Sequence, residues 1–105
     1  MSRPRLLTVN IPRLSDLENS YMPWLQRGGL FVPTAEPYHF GDTIYLLLSL
    51  PGHAEKFSAD GEVVWIVPAA NNRNLPPGIG VHLSDSEGSR RLKMRIETMI
   101  ANQAS

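Results

Sequence analysis

The hydrophobic period of this chain changes at Ser84, which restricts it to architectures in which short strands meet one terminal helix. Before Ser84 the apolar residues come in alternating or continuous runs broken by glycine and proline. Beyond it, Leu92, Ile96, Met99 and Ile100 fall on a single helical stripe. Ser84-Asp85-Ser86-Glu87 reads as a capping box for that helix, its first hydroxyl and fourth carboxylate meeting unpaired amides of the opening turn. The clearest strand spans residues 43–50. There Ile44, Leu46, Leu48 and Leu50 make one wholly apolar face, and Thr43, Tyr45, Leu47 and Ser49 make a mixed one.

The remaining punctuation is consistent with this plan. Residues 5–11 read as a first strand that stops at Pro12, and residues 14–20 as a single helical turn. Gly28-Gly29 makes a corner into a strand at 30–32, and residues 33–42, with Pro33, Pro37 and Gly41, form a connecting loop. Pro51-Gly52 is a turn. Residues 55–67 form one long strand or two, with Asp60-Gly61 as a bulge or a hairpin between the halves. Residues 68–77 hold three asparagines and three prolines without periodicity and are expected to be the most mobile segment. A last strand follows at 78–83. The expectation is a mainly β, small antiparallel barrel closed by a C-terminal α-helix, forming one domain over residues 1–105.

Charge and chemistry narrow the function classes. Ten basic and ten acidic residues cancel, so no long-range positive field draws the chain to nucleic acid or an anionic membrane. The absence of cysteine removes thiolate chemistry and disulfides, which suits the cytoplasm. No run reaches the length of a membrane span, and the basic start is not followed by the apolar stretch of a signal peptide. His39, His53 and His82 lack metal-ligand spacing. His82 with Ser84 and Asp85 is read as a strand histidine before a helix cap, not a triad. Gly78-x-Gly80 and Gly28-Gly29 lead into strands, away from the helix terminus that a phosphate loop needs, and read as corners or close strand approaches. No catalytic, cofactor-binding or metal-binding residue is assigned, and the chain is read as non-enzymatic.

Large side chains supply the candidates for recognition. Tyr21, Met22, Trp24 and Leu25 cluster just before the glycine corner and suit a protein surface, with Tyr21 and Trp24 expected to be exposed. Trp65 reads as core or as interface. Arg90, Arg91, Lys93 and Arg95 keep one helix face solvated, and Met94 among them marks a partner surface.

Taken in order, Gly29-Leu30-Phe31-Val32, then Gly61-Glu62-Val63-Val64-Trp65, then Gly78-Ile79-Gly80-Val81 before a terminal helix, the chain resembles the PilZ domain family over nearly its whole length. Tyr21-Met22-Pro23 before the glycine pair, and Gly41-Asp42 before Tyr45-Leu46-Leu47-Leu48, are similar to the family's type IV pilus assembly members. The resemblance implies a six-stranded barrel. Typical members bind cyclic di-GMP through Arg-x-x-x-Arg ahead of the barrel and Asp/Asn-x-Ser-x-x-Gly entering the second strand, where guanidinium forks grip phosphate and guanine. With the motif glycine on Gly29, Trp24 and Gln26 stand at the acidic and serine positions; with Gly28, Pro23 and Leu25 do. Arg3, Arg5 and Arg13 have Leu7, Val9 and Leu17 four residues on, so the clamp is missing too. Arg91-x-x-x-Arg95 fits the spacing but lies after the barrel, where the family has no clamp. The resemblance therefore implies a pilus-biogenesis adaptor that contacts the assembly ATPase PilB and the EAL domain of the cyclic di-GMP receptor FimX, with no direct nucleotide binding. A cyclic di-GMP sensor with an unconventional pocket is the alternative, and an oligonucleotide-binding barrel a third reading.

Overall fold

A computed structural model describes residues 5–103. It contains β1 (Arg5–Asn10), α1 (Leu14–Ser20), β2 (Gly29–Pro33), β3 (Thr43–Ser49), β4 (Lys56–Val67), β5 (Gly78–Leu83) and α2 (Glu87–Gln103). The strands form one sheet in the order β1-β3-β4-β5-β2. Its neighbours are antiparallel except for β1 and β3, which run parallel from Arg5 opposite Ile44 to Asn10 opposite Ser49.

Three expectations are corrected here. The barrel is a curled half-barrel with β1 and β2 at its two edges, not a closed one. Five strands are present among the described residues, not the six that the resemblance implied, and of the two readings of residues 55–67 the single long strand is the one observed. The sheet is also not wholly antiparallel: α1 and β2 intervene between β1 and β3, so the chain can return alongside β1 in the same direction.

The length of β4 is what builds the curl. Its first half pairs with β3, Lys56 opposite Ser49 through Glu62 opposite Thr43, and its second half pairs with β5. At the crossing, Gly61 lies so close to the His82 carbonyl that no Cβ fits. Beyond it the register with β5 slips between Val63 and Trp65. Val63 faces Val81 and Trp65 faces Gly80, so Val64 is the extra residue of a β-bulge.

The core lies between the concave side of the sheet and α2. Ile44, Leu46, Leu48 and Leu50 are buried as their alternation requires, and Leu92 and Ile96 meet them from the helix with Met99 and Ile100 partly buried beside them. Small residues let the first turn of α2 lie against β4, since a Cβ on Gly88 would stand 2.5 Å from the Ser58 carbonyl. Next to it the buried Ser89 hydroxyl accepts from the Asp60 amide at 2.9 Å and donates to the Asp60 carbonyl at 2.8 Å. The expected cap moves by two residues. Ser86 is the residue whose Oγ accepts from the Ser89 amide at 3.2 Å, while Ser84 Oγ donates to Asp60 Oδ1 at 2.8 Å and accepts from the Ser86 amide.

The loop expected to be mobile carries its own scaffold. The Asn71 side-chain amide donates to the Pro68 and Leu75 carbonyls, and its oxygen accepts from the Arg73 and Leu75 amides, so all four of its hydrogen bonds fold the loop around one side chain. No helix of the described residues is long and apolar enough to cross a membrane.

Candidate functional site: an apolar groove with two exposed tryptophans

Residues 21–29 leave the end of α1 and return to β2 as a tight excursion. Tyr21 and Leu30 form an antiparallel bridge, and the Met22 amide donates to the Gly29 carbonyl at 2.8 Å. Gly28, at φ +74, turns the chain back, and its amide reaches the Leu25 carbonyl at 2.9 Å. The base of the excursion is tied to β5. The Leu83 amide donates to Gly28 O, Arg27 Nε donates to Leu83 O at 2.9 Å, and the Arg27 amide donates to His82 Nε2 at 3.3 Å. His82 is thereby engaged by backbone and Ser84 by Asp60, so these two do not form a nucleophile and base pair.

Tyr21 is not exposed as expected. It is 6% accessible, its ring packs beneath Gly28, and its hydroxyl donates to Glu97 Oε2 on α2 at 2.7 Å. Burial first, then the hydrogen bond and the negative charge of Glu97, push its phenol well above the usual tyrosine range. Tyr21 thus fastens the excursion to the helix from below. Met22 is also mostly buried, because it lies across the outer face of β5.

That outer face is made flat by glycine. In register, Gly80 lies between Phe31 on β2 and Trp65 on β4, and Gly78 lies between Pro33 and Val67. A Cβ at Gly80 would meet Trp65 Cβ at 2.8 Å and the Met22 methyl at 3.1 Å, and one at Gly78 would meet the Phe31 ring at 2.5 Å. The Gly78-x-Gly80 pair is therefore a bed for side chains, the close approach expected from its place at the start of a strand. The bulge settles the question of Trp65. By plain alternation it would share the buried side of Val63, which is 1% accessible, but the extra Val64 inverts the parity and turns the indole outward at 60% exposure.

The resulting groove has a volume of about 530 Å³ and is lined by Asn19, Met22, Trp24, Leu25, Phe31, Val64 and Trp65. None of these seven is charged. Trp24, 74% exposed at the tip of the excursion, forms one wall and Trp65 stands among the strands. Of the sequence candidates, Met22, Trp24, Leu25 and Trp65 are brought together here, and Tyr21 supports them from beneath. Met94 lies apart, 71% exposed, in a depression between α2 and the start of β4. Asn19, Phe31 and Val64 are lining residues that sequence reasoning did not single out; the glycine opposite Phe31 was the available signal for it.

The other polar cluster is structural. The Asp60 carboxylate would be raised by burial, but hydroxyl donors from Ser86, Ser84 and Ser89 outweigh that and hold it below the usual aspartate range. No group of histidine, aspartate and glutamate placed to hold a metal occurs among the described residues.

The family model described as PilZ domain matches residues 4–101, nearly the whole chain. No curated protein matches it.

Proposed function

We infer function from one premise: the chain belongs to the PilZ domain family, a family of non-enzymatic binding domains tied to cyclic di-GMP signalling. Within it we propose a cytoplasmic adaptor of type IV pilus biogenesis and twitching motility. It binds a PilB-type assembly ATPase and a FimX-type EAL domain through protein contacts, and does not itself bind cyclic di-GMP. The carrying observation is the uncharged groove between Trp24 and Trp65. An anionic dinucleotide needs guanidinium and hydrogen-bonding partners, and the loop that would supply them presents indole, thioether and leucine instead. Arg27 is the sole cation in residues 21–29, and its Nε is engaged by the Leu83 carbonyl. Exposed tryptophans beside an apolar trough are the side chains that dominate protein interfaces. Met22, Leu25 and the buried Tyr21 shape this surface, and Met94 belongs to a second one.

The test measures binding of a PilB-type ATPase and of a FimX-type EAL domain to Trp24→Ala and Trp65→Ala variants that retain the wild-type circular dichroism. Loss of about tenfold or more in affinity for at least one partner is expected, in line with truncating a buried interface tryptophan. Unchanged affinity for both partners refutes the groove as the docking site. Calorimetry with cyclic di-GMP should give no heat of binding, and micromolar binding would favour a nucleotide sensor.

A further inference from the structure

The depression that holds Met94 has a composition unlike the tryptophan groove. Glu55, Phe57, Arg91, Met94, Arg95 and Thr98 line it, and a contiguous hollow continues past Lys56 toward Gly88. Arg91 and Arg95 are one helical turn apart on the same face of α2, with Met94 between them. Across from them the half-buried Phe57 is held by an edge contact with His53, ring centroids 5.7 Å apart. Arg90 is within 3.8 Å of Asp85, whereas neither Arg91 nor Arg95 has an ion pair or hydrogen bond among the described residues. Two unneutralised guanidinium forks thus flank an exposed thioether, with Lys56 nearby and Glu55 as the one carboxylate lining the trough.

We propose that this trough is a second docking surface, for an acidic amphipathic helix of a partner protein that places carboxylates on Arg91 and Arg95 and an apolar side chain on Met94 and Phe57. Charge complementarity selects the acidic partner: forked donors at helical spacing match carboxylates one turn apart. The thioether and phenyl between them select a polypeptide over a nucleic acid, since a phosphate backbone has no apolar group to place there. The inference does not rest on the tryptophan groove, whose failure would leave it standing.

The experiment titrates ¹⁵N-labelled full-length protein with a synthetic helical peptide carrying glutamates at i and i+4 and leucine at i+3. Saturable shifts confined to amides of residues 55–58 and 88–98 are expected. The affinity should fall as salt is raised. It should also drop about fivefold in Arg91→Gln or Arg95→Gln, the upper end of what an exposed ion pair contributes. Met94→Ala should weaken the glutamate peptide, and a peptide with lysine in place of glutamate should not bind. Absence of saturable shifts, or shifts indifferent to Arg91 and Arg95, overturns the proposal. So does stronger binding of a single-stranded oligonucleotide at the same amides, which would assign the trough to nucleic acid. All three substitutions are at exposed helix positions, so loss of folding does not confound the result.

Discussion

Two single residues hold the candidate site in place, and neither belongs to its visible walls. Gly80 is one: any side chain there collides with the Trp65 Cβ and the Met22 methyl. Gly80→Ala is expected to cost about 1–3 kcal/mol, the usual cost of overpacking, and to displace Trp65. Urea unfolding measures the first effect and iodide quenching of tryptophan emission the second. Tyr21 is the other. Tyr21→Phe removes the hydroxyl on Glu97 while leaving the ring under Gly28, and should cost about 0.5–1.5 kcal/mol by the same unfolding measurement. Asp60 gives the clearest pH dependence. Its carboxylate titrates lower in the native state than unfolded, so its stabilisation is fully present above an unfolded pKa of about 3.9 and is lost as pH falls through the native value. Asp60→Ala should therefore destabilise the protein at neutral pH by roughly 1–3 kcal/mol and flatten the acid limb of its stability profile. A mutant whose profile parallels the wild type below pH 4 would contradict the serine network as the cause.

At the scale of elements, what was legible in sequence is what repeats locally. The alternation of β3 and the stripe on α2 each bury the residues that their periods select, because burial there follows from one element's own geometry. What escaped depends on pairs distant in sequence. Tyr21 is fastened by Glu97, 76 positions away, which accepts from its hydroxyl, and Asp60 is ordered by Ser84 and Ser86 ahead of α2 and by Ser89 in its first turn. Residues 55–67 could be read as one strand or two because Asp60-Gly61 looks like a turn, whereas the glycine is there to let β4 cross close to β5. Trp65 stayed ambiguous because one unpaired residue reverses the face that alternation assigns. That reversal has a testable consequence. Deleting Val64 removes the bulge without changing the partners of Val63, Trp65 or Ile66 on β5, so the fold should survive within about 2 kcal/mol and Trp65 should stay accessible to quencher. Deleting Ala59, in the unbulged half, shifts the parity of its neighbours and should abolish cooperative unfolding. Equal damage from both deletions would rule out the bulge.

The molecule as a whole places its two candidate surfaces on opposite sides of one strand. Phe57 shares parity with the buried Ala59, on the side that α2 covers, while Trp65 lies beyond the bulge on the outer side. They stand eight positions apart on β4, roughly 26 Å of extended chain before curvature, and the two linings share no residue. Sites so separated, without a common side chain or mobile element, should contribute independently. A partner at the tryptophan groove and an acidic helix at the arginine trough are therefore expected to bind together, each with an affinity changed by less than about twofold by saturation with the other, a coupling below roughly 0.5 kcal/mol. Anisotropy of the labelled acidic peptide, measured with and without saturating groove partner, tests this. Trp24→Ala and Trp65→Ala should leave the peptide isotherm unmoved, as Arg91→Gln and Arg95→Gln should leave groove binding unmoved. Mutual exclusion would mean that the two surfaces form one interface wrapped around the edge of the half-barrel. It would remove the physical basis for an adaptor that holds two proteins at once.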